Sequence, residues 1–222
     1  DRQNDARRGF ENFTGTGAAQ VLGVLGRLRR DENNQATSQD LFAQGEWTPT
    51  SGLAASAGVR SGKVRLTAED SFLSNGNDSG RLDFSYTNPV LGLRWTVAPG
   101  LNLHASAARG YEAPTLGELA YRRDGAAGFN TTLQAQTSRQ AELGAKWRSG
   151  ALQADVAVFE SRVENEIVIA SNSGGRSSFQ NAGRTLRRGA ELSGRLQLAA
   201  AWQLALSATW LDATYLDAFK TC

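Results

Sequence analysis

Methionine is absent from this 222-residue sequence, histidine and cysteine occur once each, and proline only four times. With a single histidine, His104, and a single terminal cysteine, Cys222, no cluster of imidazoles or thiolates has the spacing a metal site needs. A Ser-His-Asp triad would have to use His104, which lies between Asn102 and Ser106 on the polar side of an alternating stretch. Lining a wet interior suits that position better than catalysis, and no enzymatic role is expected. Cys222 reads as a free thiol or as half of a disulfide, and both readings stay open. No apolar run approaches the ~20 residues of a membrane helix. Charge of one sign is missing too: the net charge is +2, too balanced to argue for nucleic acid. A start at Asp1-Arg2-Gln3 with no methionine reads as a mature product or a part of something longer.

What the sequence has is glycine, 24 of them, and alternation. Hydrophobic residues at 40% are somewhat few, but with charged residues at only 21% the composition does not favour disorder. Residues 1–38 are polar and irregular, with a charged run at 27–32 and a weak strand signal around 21–28. Gly15-Thr16-Gly17 lacks the third glycine of a dinucleotide loop and reads as loop filler. From Leu41 the pattern has period two, with Leu41, Ala43, Gly45 and Trp47 opposite Phe42, Gln44 and Glu46. Seven further stretches behave the same way. They are marked by Leu53–Val59, Leu91–Val97, Leu101–Ala107, Ala141–Trp147, Leu152–Val158, Arg188–Leu198 and Trp202–Trp210. Beyond Ser61-Gly62 the apolar parity switches to Val64, Leu66 and Ala68, which predicts a β-bulge. The strand at Leu101 is expected to end near Arg109-Gly110, with Pro114 barring further pairing.

Short turns fall near residues 50, 100, 150 and 200, and long polar connections lie at 69–81, 110–137 and 161–185. Eight strands therefore make four antiparallel hairpins, with tight turns at one edge and long loops at the other. Residues 39–217 hold the hairpins, and 1–38 are expected to be mostly extracellular loop and strand extension. Trp47, Trp95, Trp147 and Trp202 all sit beside the short turns with the parity of the apolar face. Tryptophans at one level are what a transmembrane barrel places at the headgroup boundary. Arg109 and Arg188 share this lipid-facing parity. Arg109 is eight residues past the turn, about 26 Å along the strand and about 20 Å in height with a ~40° tilt, near the far side of a ~25 Å band.

The residues also carry a resemblance. GYEAPTLGELAY (110–121), following an ASAARG strand, resembles the S.ARGFEAPTLNEL segment of TonB-dependent outer-membrane receptors. SRQAELGAK (138–146) is similar to their S.NYE.GLK strand, ENEIV (164–168) to their DEIV, and FQNAGRTLRRGAELS (179–193) to their YQNAG.T...GVELS. The segments follow family order, although Leu133-Gln-Ala-Gln136 replaces the family's LKPE. The resemblance implies an all-β, antiparallel transmembrane barrel of about 22 strands, of which this chain supplies about eight. It implies a location in the outer membrane of a Gram-negative bacterium, among lipid and lipopolysaccharide. It also implies uptake of a ferric siderophore or similar chelate, with no resident cofactor, driven by TonB through an N-terminal plug that this chain does not include. Tyr111, Tyr121, Arg122, Arg123, Phe129 and Arg187, in or beside the long loops, are the candidate ligand contacts, because guanidinium groups pair with anionic oxygens and stack on rings. An acidic-amide turn, not a calcium loop, is expected at 70–78. Two other readings are a complete eight-stranded outer-membrane barrel with a structural or adhesion role, and a soluble β-sandwich binding module.

Overall fold

The computed structural model describes residues 1–124, 128–173 and 176–221; Cys222 lies outside them. Thirteen strands follow in order: β1 (Arg2–Phe10), β2 (Phe13–Thr14), β3 (Val21–Leu22), β4 (Leu28–Thr50), β5 (Leu53–Asp70), β6 (Gly80–Ala98), β7 (Leu101–Glu112), β8 (Gln136–Ser149), β9 (Leu152–Glu164), β10 (Ile167–Ser173), β11 (Arg176–Asn181), β12 (Thr185–Ala199) and β13 (Trp202–Tyr215). Nine of them form one sheet in the order β1-β4-β5-β6-β7-β8-β9-β12-β13, every neighbouring pair antiparallel. β2–β3 and β10–β11 are small separate hairpins. Among the described residues no second large sheet packs face to face on the first, as a sandwich would need, and β1 and β13 each have one neighbour, so these nine strands do not close on themselves.

All eight expected strands are present. The ninth, β1, pairs residue by residue from Arg2↔Thr37 to Gly9↔Arg30. Its sequence, RQNDARRGF, is polar on both faces, so alternation could not reveal it. The short turns stand where expected, with Gly100 (φ 78°) and Gly150 (φ 55°) supplying the left-handed conformation two of them require. Register places the tryptophans in a row along this edge: Trp47 opposite Ala55, Trp95 opposite Leu53 and Leu103, and Trp147 opposite Leu101 and Ala154. Each is largely exposed, Trp202 most of all at 72%. Leu41, Leu91, Leu143, Val158, Leu192 and Leu204 continue the exposed apolar band on the same face, here called the outer face.

The bulge expected at Ser61-Gly62 is absent: β5 pairs with β6 without a register shift from Leu53↔Trp95 to Ala68↔Gly80. The parity switch has another cause. Low on β5 the apolar side chains point outward. Above Gly62 the outward residues are Lys63, Arg65, Thr67 and Glu69, while Leu66 and Ala68 point inward and are buried. They pack there against Leu119, Phe129 and Leu133 of the 113–135 loop, with Leu82, Phe84 and Phe179 beside them. The strand is straight, and its surroundings invert. β7 likewise runs past Arg109-Gly110 to Glu112, because β8 continues to pair with it up to Glu112↔Gln136. The 161–185 connection is mostly β-structure, since β9 extends to Glu164 and β10–β11 fill its middle.

Candidate functional site

The inward-folded loop is built by a short device within its own sequence. Thr115 accepts from Glu118 N–H through Oγ1 (3.2 Å), while Glu118 Oε2 accepts from Thr115 N–H (2.7 Å) and its hydroxyl (3.0 Å). This reciprocal capping closes one tight turn after Pro114, and it turns Leu119 fully inward. Asn130, also buried, donates to Phe179 O (3.3 Å) and accepts from Thr132. Asn181 completes the attachment: its amide accepts from Gln134 N–H (2.9 Å) and donates to Gln134 O and Asn165 O. The APTLGEL and FQNAG segments are thus the two halves of a clamp that holds the loop against the β10–β11 hairpin. Loop 71–79 is organised separately, by Asp70 accepting from Phe72 N–H and Asp78 N–H. It is the acidic-amide turn expected there.

Above the clamp lies an open cavity of about 540 Å³, walled by β1, β4, loop 71–79, residues 120–122 and the β10–β11 hairpin. That volume is in the range of small-molecule sites. Tyr121 is part of its wall. Arg30 lies over the ring with Cζ 4.9 Å from the centroid, and Arg176 lies 5.4 Å from it. Arg30 also reaches Ala120 O (3.4 Å) and Tyr121 Oη (3.5 Å). The two centroid distances, 4.9 and 5.4 Å, suit cation–π contact. Six arginines line the cavity (Arg7, Arg8, Arg29, Arg30, Arg122 and Arg176) against three carboxylates (Glu32, Asp70 and Asp78), so the lining is positive. Part of that charge is already compensated. Arg7 and Arg30 share Glu32 at 3.4 and 3.7 Å, and Arg8 pairs with Asp31. Arg122 forks onto Asp124 at 2.6 and 3.2 Å, which holds its pKa above the ordinary arginine value. Arg176 has no carboxylate partner among the described residues.

The six sequence candidates separate. Tyr121 and Arg122 line the cavity. Phe129 lies beneath it, buried in the apolar cluster. Tyr111 stacks on Tyr86 with centroids 4.5 Å apart, and its buried hydroxyl has no hydrogen-bond partner among the described residues. Tyr86 in turn donates to Asp40, which also pairs with Arg60 at 2.7 Å. Arg187 is committed to Glu166 (2.5 Å), and Arg123 is exposed on the loop without lining the cavity. His104 is near Glu142, its Nε2 3.2 Å from Oε1. Sequence reasoning missed Arg30 and Arg176. The charged run at 27–32 was the signal for Arg30, whereas Arg176 had none, since it reaches Tyr121 only through the β10–β11 hairpin. Chemically the cavity presents aromatic rings (Phe10, Phe72 and Tyr121) and a cationic wall, suited to an anionic ligand with flat, oxygen-bearing groups.

Residues 1–221 match the family model described as TonB dependent receptor-like, beta-barrel. Among solved structures, the ferric-catecholate import receptor Fiu from E. coli K12 aligns with a TM-score of 0.68 and 18% identity, over 97% of this chain and 34% of its own. The siderophore receptor PiuA from Acinetobacter baumannii aligns with a TM-score of 0.68 and 16% identity, over 94% of this chain and 29% of its own. A double mutant of the hemophore receptor HasR from Serratia marcescens, in complex with its hemophore HasA and heme, gives 0.63 and 20%, over 82% of this chain and 34% of its own. The chain spans about a third of the length of these structures.

Proposed function

The chain belongs to the TonB-dependent receptor β-barrel family, and on that premise we propose that it is part of an outer-membrane receptor that imports a ferric siderophore or similar anionic chelate. The observation that carries the reading is Tyr121 with both Arg30 and Arg176 over its ring on a positively charged cavity wall. The oxygens of an anionic chelate pair with guanidinium donors held in this way, and its aryl groups stack on their planes. The exposed band of leucine, valine and tryptophan on the outer face supports lipid contact, because a patch this wide is otherwise costly in water. In this reading residues 1–38 and the long loops face the outside. Tyr121 and Arg122 touch the ligand directly, while Tyr111, Arg123, Phe129 and Arg187 shape the walls or the approach. TonB supplies the energy through a plug within the barrel, and lipopolysaccharide surrounds the rim.

The test uses the receptor that contains this chain, inserted in outer membranes of a Gram-negative host, with a ferric tris-catecholate complex as probe. Y121A and R176Q are expected to weaken binding by about tenfold each while leaving barrel insertion unchanged. Unchanged binding in both variants overturns the ligand assignment.

A further inference from the structure

Loop 71–79 holds the sequence's one Asn-Gly pair, Asn75-Gly76. Both residues are exposed, and Asn75 lines the cavity together with Asp70 and Asp78. An asparagine before glycine is open to attack by the next backbone nitrogen on its own side chain, because glycine has no Cβ to shield that nitrogen. The surroundings favour the same reaction. The nucleophile is Gly76 N, which donates to Leu73 O across a long 3.3 Å, and a Cβ added at Gly76 would meet nothing within 4 Å. Asn77-Asp78, in the same loop, is the internal comparison. There the nitrogen is Asp78 N, tied to Asp70 Oδ2 at 3.0 Å, and Asn77 Oδ1 accepts from Ser79 N–H at 3.0 Å. The fold thus ties down the Asn77 site and leaves the Asn75 nucleophile on a weak bond in open space.

We propose that Asn75 is a self-modification site, whose conversion to aspartate and isoaspartate lowers the cavity's affinity for its anionic ligand. Gly76 N gives its proton to solvent and its electron pair to Asn75 Cγ, forming an N–Cγ bond. The Cγ–Nδ2 bond breaks, and Nδ2 leaves as ammonia with a proton taken from water. Water then opens the resulting succinimide. Cleavage of the N–Cγ bond gives aspartate, and cleavage of the original peptide bond gives isoaspartate. The balance is one water consumed and one ammonia released, with no oxidant, metal or enzyme required.

The product changes the cavity wall in two ways. Asn75 Nδ2 donates to Asp78 Oδ2 at 2.9 Å; a carboxylate at 75 replaces that donor with a second anion, and like charges so placed repel. The carboxylates lining the cavity also rise from three to four against the same six arginines. A fixed negative charge added to the wall opposes an anionic ligand. The effect on affinity rests on the chelate reading above, whereas the conversion itself does not.

The test incubates the receptor containing this chain in detergent at mildly alkaline pH, beside its N75Q variant, whose longer side chain cannot close the five-membered ring. Peptide mapping by mass spectrometry reads conversion at each asparagine, and binding of a ferric tris-catecholate complex is measured before and after. Asn75 is expected to convert ahead of Asn77 and every other asparagine, with isoaspartate among the products. Binding should fall by about threefold or more in step with that conversion. N75Q should keep its affinity through the incubation, and fresh N75D should already bind like the aged wild type. Asn75 unconverted in the folded receptor, or converted no faster than Asn77, overturns the proposal. An equal loss of binding in N75Q overturns it as well. A fresh receptor that binds no probe removes the chelate reading itself. A receptor that binds the probe equally well before and after conversion removes this inference alone.

Discussion

Tyr121 contributes a ring, and the ring's partners decide what substitution does there. Arg30 and Arg176 sit 4.9 and 5.4 Å from its centroid, so Y121F keeps the π-face and loses only a 3.5 Å contact to Arg30. Y121L removes the face altogether. Chelate binding is therefore expected to be within about twofold of wild type for Y121F and about tenfold weaker for Y121L. Equal losses in the two would assign the effect to the hydroxyl. A second residue-scale expectation concerns Asp217, which follows β13. Its carboxylate accepts from Arg184 N–H (2.8 Å) and from the guanidinium (3.0 and 2.8 Å), and these hydrogen bonds lower its pKa to about 2. A depressed carboxylate pKa gives stability that is fully present above the unfolded value and lost as pH falls through the folded one. The tie between 184 and 217 should therefore persist at pH 5 and fail between about pH 4 and pH 2. Amide exchange at Arg184, compared with a D217N variant across that window, checks it: convergence of the two proteins only at the acid end is the expected outcome.

At the scale of the elements, the short-turn half of each strand was legible and the loop half was not, for one physical reason. Near the short turns the outer face is apolar and the inner face polar, so period two appears in the letters. Toward the loops the outer face turns polar while the inner face of β4–β6 becomes the floor under the 113–135 loop. On β5 this turned a straight strand into an apparent bulge at Gly62. On β1, polar on both sides, it hid the strand completely. The site was legible to the same extent: Tyr121 and Arg122 come from a loop rich in arginine and aromatics, but Arg30, 91 residues away in sequence, meets Tyr121 only once β4 has paired and the loop has folded over it. That packing makes a prediction about Leu66, which is 2% exposed against Leu119 and Leu133. Truncation in L66A removes buried methyl groups and leaves a cavity, costing about 2–5 kcal/mol. The cost should fall on the loop. Backbone exchange in 113–135 is expected to rise steeply while β8, β9 and β12 keep their protection; loss of protection across the whole sheet would mean that loop and strands unfold as one unit.

For the whole molecule, the decisive feature is that the sheet has two ends. β1 is hydrogen-bonded only to β4 and β13 only to β12, and β13 is exposed along all its 14 residues. In lipid an unpaired backbone edge leaves amide groups with no water to satisfy them, and in any solvent it is a template for another strand. The family's barrels remove the problem by closing, and the solved relatives are about three times the length of this chain. The registers across the nine strands shift only near strand ends, at Gly9/Phe10, Trp47/Thr50, Thr96/Ala98 and Gln197/Ala199, so the wall is well specified even though its closure is not. Expressed by itself in detergent, this chain is therefore expected to self-associate through β1 and β13, giving a broad oligomer distribution by light scattering and no heat-dependent gel shift. Supplied with the remaining strands of a receptor barrel, the same residues should give a single monomeric species with that shift. A monodisperse nine-stranded monomer of this chain alone, resistant to protease and heat-modifiable, would show that β1 and β13 find each other, and would sink the view that the sheet is one arc of a larger wall.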